Sequence, residues 1–258
     1  MPSTSDPIAV RGLTMAFGER VVMHDLTFDV GRGDIFFVMG PSGSGKSILM
    51  RHLLGLLEPA AGEICYEGER FTGASPADRT RMLRRCGVTF QTGGLWSSLT
   101  LAENVAVTLE EYTDLGPAEV RELASLKLAL VGLRGFEDYY PSEISGGMQK
   151  RAALARAIAL DPAILFFDEP SSGLDPVSSH LLDRLIVELR DSLGATVVIV
   201  SHELDSILEI GTNSIFLDMD SRTMAAQGAP RALRTEATSP AVRRFLNRGD
   251  DPREESVR

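Results

Sequence analysis

Apolar residues alternate with polar ones through Ile8-Ala9-Val10-Arg11-Gly12-Leu13-Thr14-Met15 and again from Val21 to Val30, on either side of the turn Phe17-Gly18-Glu19-Arg20. That period predicts two half-buried strands of an antiparallel β layer. The pattern then changes: Asp34-Ile35-Phe36-Phe37-Val38-Met39 is a continuous apolar run ending in glycines, and Ser47 to Leu57 carries helical spacing until Glu58-Pro59. A strand buried on both faces, a glycine-rich loop and a helix are expected in that order. Val88-Thr89-Phe90, Ala163 to Phe167, Ala195 to Val200 and Ser214 to Leu217 read as further buried strands, and Pro176 to Leu193 as a helix closed by Gly194. Such alternation implies an α/β fold with a mainly parallel core sheet. Between Phe90 and Ala163 the pattern is helical. Thr100-Leu101-Ala102-Glu103 has the capping-box spacing ahead of Val105, Leu109 and Tyr112 on one face, and Pro117 opens a second helix running to Gly132. This stretch reads as a helical insert in the α/β core.

Composition narrows the class. At 258 residues a chain buries ~75% of its unfolded surface, enough for one large domain or two small ones. With 43% apolar and 24% charged residues, it matches neither a disordered, a collagen-like nor a disulfide-scaffold protein. Twenty-six Lys and Arg against 36 Asp and Glu give a net charge of -10, the wrong sign for holding nucleic acid or anionic lipid on the protein's own surface. No nucleic-acid partner is expected. Cys65 and Cys86 stand far apart without a CxxC, so they read as buried small hydrophobes. The start Met1-Pro2-Ser3-Thr4-Ser5-Asp6-Pro7 lacks the basic and apolar stretches of a secretory signal, which predicts an intracellular protein. The densest apolar runs fall far short of the roughly 20 residues that span a membrane, so any membrane role is expected to come through a partner. Arg248 to Glu255 form a charged tail expected to fray.

Two motifs carry chemistry by themselves. Gly40-Pro41-Ser42-Gly43-Ser44-Gly45-Lys46-Ser47 fits G-x-x-x-x-G-K-[ST] after a strand and before a helix. Glycines let successive backbone N–H groups curl around phosphate oxygens, the helix N-terminus adds partial positive charge, Lys46 reaches the β- and γ-phosphates and the Ser47 hydroxyl ligates Mg2+. Ala163-Ile164-Leu165-Phe166-Phe167-Asp168-Glu169 is an apolar strand delivering two carboxylates to the ligand edge of the sheet. Asp168 suits the Mg2+ shell, which leaves Glu169 to polarise the attacking water.

With these in place, Ile144-Ser145-Gly146-Gly147-Met148-Gln149-Lys150-Arg151 resembles the LSGGQ signature of the ABC ATPases. The residues support this independently: Ser145 is a good N-cap, the glycines permit close approach, and the helix start is a second anion site. The resemblance spans residues 8 to 230 and implies that Ser145, Gly146, Gly147 and Met148 close over the γ-phosphate held by a second copy, in a head-to-tail dimer with ATP at both interfaces. It further implies that Gln91 is the Q-loop glutamine, a Mg2+ or water ligand, that Ser172-Gly173-Leu174-Asp175-Pro176 is the D-loop, with Asp175 near nucleotide, and that His202 is the switch histidine at the γ-phosphate. Phe17 occupies the turn where the family places an adenine-stacking aromatic. Its fold would make residues 1–258 one ABC ATPase domain: a core of 8–91 and 155–235 with an antiparallel β layer, a helical subdomain over 92–154, and a C-terminal extension and tail over 236–258.

Two positions depart from the family pattern. Ile48 follows the phosphate loop where Thr is usual, and Met148 replaces Gln in the signature. Gly-Gly-Met, together with Phe90-Gln91-Thr92-Gly93-Gly94-Leu95-Trp96, Val131-Gly132-Leu133-Arg134-Gly135 and Arg151-Ala152-Ala153-Leu154-Ala155-Arg156-Ala157, is similar to the ATPase subunits of Mla/MCE-type phospholipid transporters. Pro240-Ala241-Val242-Arg243-Arg244-Phe245-Leu246 resembles that subfamily's C-terminal extension, which can reach the opposite ATPase subunit, and equally an ordinary amphipathic end helix. The resemblance therefore implies an ATP- and Mg2+-dependent motor on the cytoplasmic face of the inner membrane, peripheral, with integral permease subunits and an MCE-domain lipid-binding subunit. The alternatives are the ATPase of a lipoprotein-release or small-solute import system, or a soluble ABC ATPase such as a cluster-assembly subunit.

Overall fold

The computed structural model describes residues 6–249. Residues 250–255 of the expected frayed tail, and most of the stretch Met1 to Pro7, lie outside the described residues. In chain order the elements are β1 (Ile8–Phe17), β2 (Arg20–Val30), β3 (Ile35–Met39), α1 (Lys46–Leu53), β4 (Ala61–Tyr66), β5 (Glu69–Arg70), α2 (Pro76–Leu83) and β6 (Cys86–Thr89). They continue with α3 (Leu101–Tyr112), α4 (Pro117–Leu130), a 3-10 turn at Pro141–Glu143, α5 (Gly146–Ala157), β7 (Ile164–Asp168) and α6 (Pro176–Leu193). After these come β8 (Thr196–Val200), α7 (Leu204–Ile210), β9 (Asn213–Asp218), β10 (Thr223–Gln227), α8 (Pro230–Glu236) and α9 (Pro240–Leu246). The described chain divides into two compact units, one of residues 6–83 and 196–249, the other of residues 84–195. Among the described residues no helix is long and apolar enough to cross a membrane.

The first unit holds an antiparallel layer in the order β2-β1-β4-β5 and a second group in the order β10-β9-β3-β8. In the latter, β3 runs parallel to both β8 and β9. Every residue of β3 and β8 is buried, which is why both read as unbroken apolar runs. β1 shows the cost of strict alternation: Ile8 and Val10 are buried, the register shifts before Leu13, and Leu13 and Met15 are then buried in the opposite phase. α1 ends at Leu53 rather than Leu57, because Gly55 adopts a left-handed φ of 68° and folds the chain back on Arg51 and His52 carbonyls. At the other end, α9 buries Val242 and Leu246 and sets Phe245 edge-on to Phe216 of β9, with ring centroids 5.3 Å apart. Its Arg243 is buried and donates to the Ala237 and Thr238 carbonyls at 2.7 and 2.9 Å. The terminal helix thus packs its apolar face on its own chain.

In the second unit β6 and β7 pair in parallel. The capping box forms as the spacing requires, with Thr100 Oγ1 accepting from Glu103 N at 3.2 Å and Thr100 N donating to Glu103 Oε2 at 2.7 Å. α3 and α4 bury Val105, Leu109, Val120, Ala124 and Leu128 between them and α5. α6 starts on an Asp175 cap with Pro176 at its first position and stops at Gly194, φ 62°. α5 lies so close to β6 that a Cβ on Gly87 would fall 2.1 Å from the Ala157 carbonyl oxygen. The β4–β5 hairpin, α2 and β10 had no counterpart in the pattern; β5 is two residues long and α2 buries only Met82, too little for either period to register.

Replacing Gly87 with alanine forces helix backbone off the strand. Gly87→Ala is expected to cost about 1–3 kcal/mol, read as a lowered urea midpoint. A second expectation concerns His52, which is 2% exposed near the end of α1 with Nδ1 3.0 Å from the Leu57 carbonyl. Burial holds its pKa below the ordinary 6.5, against the raising effects of that hydrogen bond and of Glu58. A histidine that binds its proton more readily when unfolded contributes full stability above the unfolded value and loses it as pH falls below it. Denaturation midpoints are therefore expected to drop below pH ~6.5, and His52→Asn, which keeps a donor for Leu57, is expected to flatten that slope.

Candidate nucleotide site

The first unit carries the phosphate loop. It leaves the end of β3 and enters α1 through Gly45, whose left-handed φ of 90° places it at the N-cap with no side chain capping the helix. The first amides of α1 are thus left for a ligand rather than consumed by a Ser or Asp cap. Gly40 has φ 148°, and a Cβ there would lie 2.6 Å from the Leu217 carbonyl oxygen and 2.8 Å from Ser44 Oγ. Only glycine fits that bend. Lys46 is buried, and its ammonium donates to the Gly40 and Pro41 carbonyls, both at 2.9 Å. Ser44 Oγ is buried without a hydrogen-bond partner among the described residues, an isolated hydroxyl inside the curl of the loop. Pro41, Ser42 and Gly43 are exposed, while Ser47 and Ile48 are half-buried on the first turn of α1.

The strand pairing brings His202 to this loop. Val38 of β3 pairs with Val200 of β8, so Gly40 and His202 each stand two residues past a paired position on one edge of a parallel sheet. Ser201, buried between them, accepts from Glu203 N at 3.0 Å and fixes the turn on which His202 projects. The imidazole is about half exposed, with Nε2 3.9 Å from Glu203 Oε1. Phe17 ends β1 opposite Arg20 across a two-residue turn and is 51% exposed, which leaves one aromatic face free to stack on a base.

The second unit repeats the arrangement with acids. Thr89 pairs with Phe167, so Gln91 and Glu169 each stand two residues past a paired position, and Asp168 ends β7 beside them. Glu169 is 8% exposed and left-handed at φ 49°, a conformation that costs a non-glycine residue on the order of 1 kcal/mol. Gln91 Nε2 lies 3.5 Å from Ser172 Oγ, while Lys150 Nζ donates to the Gln91 main-chain carbonyl. Burial pushes the Lys150 ammonium below its ordinary range, and the Glu169 and Asp168 carboxylates pull it back. Ser145 caps α5, its Oγ accepting from Met148 N at 3.3 Å; Ser145 and Gly146 are exposed, and Gly147 and Met148 half-buried.

Asp175 is occupied differently. Its Oδ1 accepts from Val177 N and Ser178 N, both at 3.0 Å, and its Oδ2 from the Ser178 hydroxyl at 2.5 Å. The Ser178 hydroxyl, then the backbone amides, hold its pKa below the usual carboxylate range. This carboxylate serves as the cap of α6 in addition to any role near nucleotide. Lys150 and Ser201, which touch the segments carrying the expected site residues, were not singled out by the motif reading, although Lys150 lies inside the quoted signature stretch.

The donor sets fit the groups they would hold. An uncapped helix start, an isolated buried hydroxyl and a lysine are the chemistry of phosphate binding, while a carboxylate and a hydroxyl are hard oxygen ligands suited to Mg2+. The family model for the ABC transporter matches residues 23–172. The intermembrane phospholipid transport system ATP-binding protein MlaF of Escherichia coli K12 is 38% identical over 245 residues, covering 95% of this chain and 90% of that protein. The probable ribonucleotide transport ATP-binding protein mkl of Mycobacterium leprae is 40% identical over 240 residues, covering 93% of this chain and 68% of the relative. Among solved structures, the dimeric post-hydrolysis ATP-binding cassette MJ0796 bound to ADP and Pi matches with a TM-score of 0.77 and 27% identity, over 86% of this chain and 98% of that one. The cbiO1 subunit of the cbiONQ transporter from Clostridium perfringens shares the fold at TM-score 0.82 and 24% identity, over 98% of each chain. With the family model covering more than half its length, and the phosphate loop, the acidic strand end and the signature helix formed as described, this chain belongs to the ABC transporter ATPases.

Proposed function

We propose that the chain is the ATP-hydrolysing subunit of a transporter that moves phospholipid between membranes, acting as a head-to-tail pair of copies on the cytoplasmic face of the inner membrane. The observation that carries the ATPase chemistry is the loop Gly40 to Ser47, with its uncapped helix start, buried Lys46 and isolated Ser44 hydroxyl. In this reading Lys46 exchanges its two loop carbonyls for β- and γ-phosphate oxygens, and the loop amides and Ser44 Oγ donate to the same groups. Ser47, Asp168 and Gln91 are the residues that would hold Mg2+ by the family resemblance, and the ion would neutralise charge on the phosphates. Glu169, held rigidly by its buried left-handed backbone, orients the attacking water, and His202 contacts the γ-phosphate. Ser145 to Met148 present the start of α5 to nucleotide on the second copy. Catalysis is then positioning and electrostatics.

Residues 92–154 act as the helical subdomain and 8–91 with 155–235 as the core. The partners are integral permease subunits and an MCE-domain lipid-binding subunit, because the Gly-Gly-Met signature and the Gln91 to Trp96 segment follow the lipid-transport pattern and the Escherichia coli relative is named for phospholipid transport. A second reading, small-solute transport, is favoured by the mycobacterial relatives, whose name specifies ribonucleotide transport.

Glu169→Gln is expected to retain ATP binding, to lower kcat by about 100-fold or more and to accumulate a nucleotide-bound dimer on size exclusion, whereas Lys46→Ala loses binding. Wild-type turnover in Glu169→Gln would remove the glutamate from its role. For the cargo, the chain is purified from its native membranes in mild detergent and the co-purifying proteins and lipids are identified by mass spectrometry. A permease, an MCE-domain protein and enriched phospholipid are expected; a permease without enriched lipid, whose ATPase rate rises with ribonucleotide, would transfer the assignment to solute transport.

A further inference from the structure

The segment from Gln91 to Leu99 has no regular secondary structure, yet three side chains of its own unit hold its backbone. Lys150, in the second turn of α5, donates to the Gln91 carbonyl. Arg156, on the same helix, donates through Nη1 to the Gly94 carbonyl at 2.7 Å and through Nη2 to the Gly93 carbonyl at 3.0 Å, with its guanidinium 5.9 Å from the centre of the Trp96 ring. Asn104 of α3 secures the far end: its Oδ1 accepts from Trp96 N at 2.8 Å, and its Nδ2 donates to the Trp96 and Leu99 carbonyls, both at 3.1 Å. Gln91, Gly93 and Gly94 therefore hang from α5, the helix that begins at Ser145.

The chemistry of these ties is stronger than their number suggests. Those of Lys150 and Arg156 join a full positive charge to a carbonyl oxygen, and such bonds are about twice as strong as neutral ones. Both cations are half-buried, and the partial desolvation of each is offset only while the geometry is kept. Lys150 also stands in the field of the Glu169 and Asp168 carboxylates. Gln91 binds through its main chain alone at this contact, and its side-chain amide donates instead to the Ser172 hydroxyl at 3.5 Å.

We infer that Lys150 is a positioning residue for ATP hydrolysis: by binding the Gln91 main-chain carbonyl it fixes the Gln91 amide relative to Glu169 and makes the Gln91–Gly94 segment move as one body with the signature helix. Displacement of Ser145 by nucleotide on another copy then displaces Gln91 as well, without a contact between Gln91 and that nucleotide. The inference rests on the ATPase reading given above and adds a residue that no motif of the chain singles out. Arg156 supplies the second tie and Asn104 the anchor, so loss of Lys150 frees the Gln91 end of the segment while its Trp96 end stays fixed.

The test uses the full chain as wild type, Lys150→Met, which keeps the length of the side chain without its donors, and Lys150→Arg, which restores them. Amide hydrogen exchange is measured on the nucleotide-free proteins, and kcat and KM for ATP at steady state. In Lys150→Met, exchange at residues 91–94 is expected to rise about ten-fold or more while α3 and β6 keep their protection, and kcat to fall about ten-fold with KM within about two-fold of wild type. Lys150→Arg is expected to recover both. Unchanged exchange and kcat in Lys150→Met would overturn the inference. So would an exchange increase spread evenly over the unit, a loss carried by KM, or no recovery by Lys150→Arg, each of which marks a merely structural side chain. Should Lys150→Met fail to fold, Lys150→Gln, which keeps a neutral donor, carries the same comparison. A wild type that hydrolyses no ATP would sink the ATPase reading instead, while the exchange data still decide the tie.

Discussion

Parallel strands finish at the same edge, and the candidate chemistry of this chain hangs on that constraint. In one unit the pairing of Val38 with Val200 puts the phosphate loop and His202 level with each other; in the other the pairing of Thr89 with Phe167 does the same for Gln91 and Glu169. A one-residue slip in either pair would turn every side chain of the slipped strand to the opposite face. Register is protected by burial: β3 and β8 expose nothing, and α5 presses so tightly on β6 that position 87 has no room for a side chain. The core and the site are therefore the same object seen from two sides, and damage to packing at Gly87 reaches Gln91 four residues away.

The charge arrangement follows from the same economy. A chain of net charge -10 reads as a poor host for a polyanion. Here attraction is local and made of backbone dipoles: the uncapped amides at the start of α1, the amides of the α5 start beyond Ser145, and a few withdrawn cations. Lys46 points at carbonyl oxygens of its own loop, and Lys150 and Arg156 at those of the Gln91–Gly94 segment. Such charges contribute little to the distant field and much to the shape of the loop. A net negative charge at long range is thus compatible with donors that attract an anion at short range.

Much of this was legible from the residues. Thr100 with Glu103, Pro176, and Gly194 announced helix ends that form as their spacing requires, because such signals are read over three or four residues and need no tertiary partner. The phosphate loop and the acidic strand end were legible for a related reason: their chemistry demands particular residue types at fixed spacing. What escaped depended on distance along the chain. The register shift in β1 comes from pairing with β2 and β4, the hairpin of β4 and β5 is too short to show a period, and the hold of Lys150 on Gln91 joins residues 59 positions apart. The resemblance gave Asp175 a place near nucleotide as an expectation; that its carboxylate caps α6 through Val177 and Ser178 emerged only with coordinates.

Lys46 has a consequence that reaches beyond its own loop. Its ammonium already makes two good hydrogen bonds, to Gly40 and Pro41, so an incoming ligand must replace both before it gains anything. A neutral molecule of the right outline has nothing better to offer than the carbonyls it displaces, whereas adjacent phosphates offer full negative charge. The loop thus sorts molecules by how many charges they bring rather than by how they look. The same two carbonyls hold the lysine in place until a ligand arrives, so the cation waits already aimed into the curl it serves.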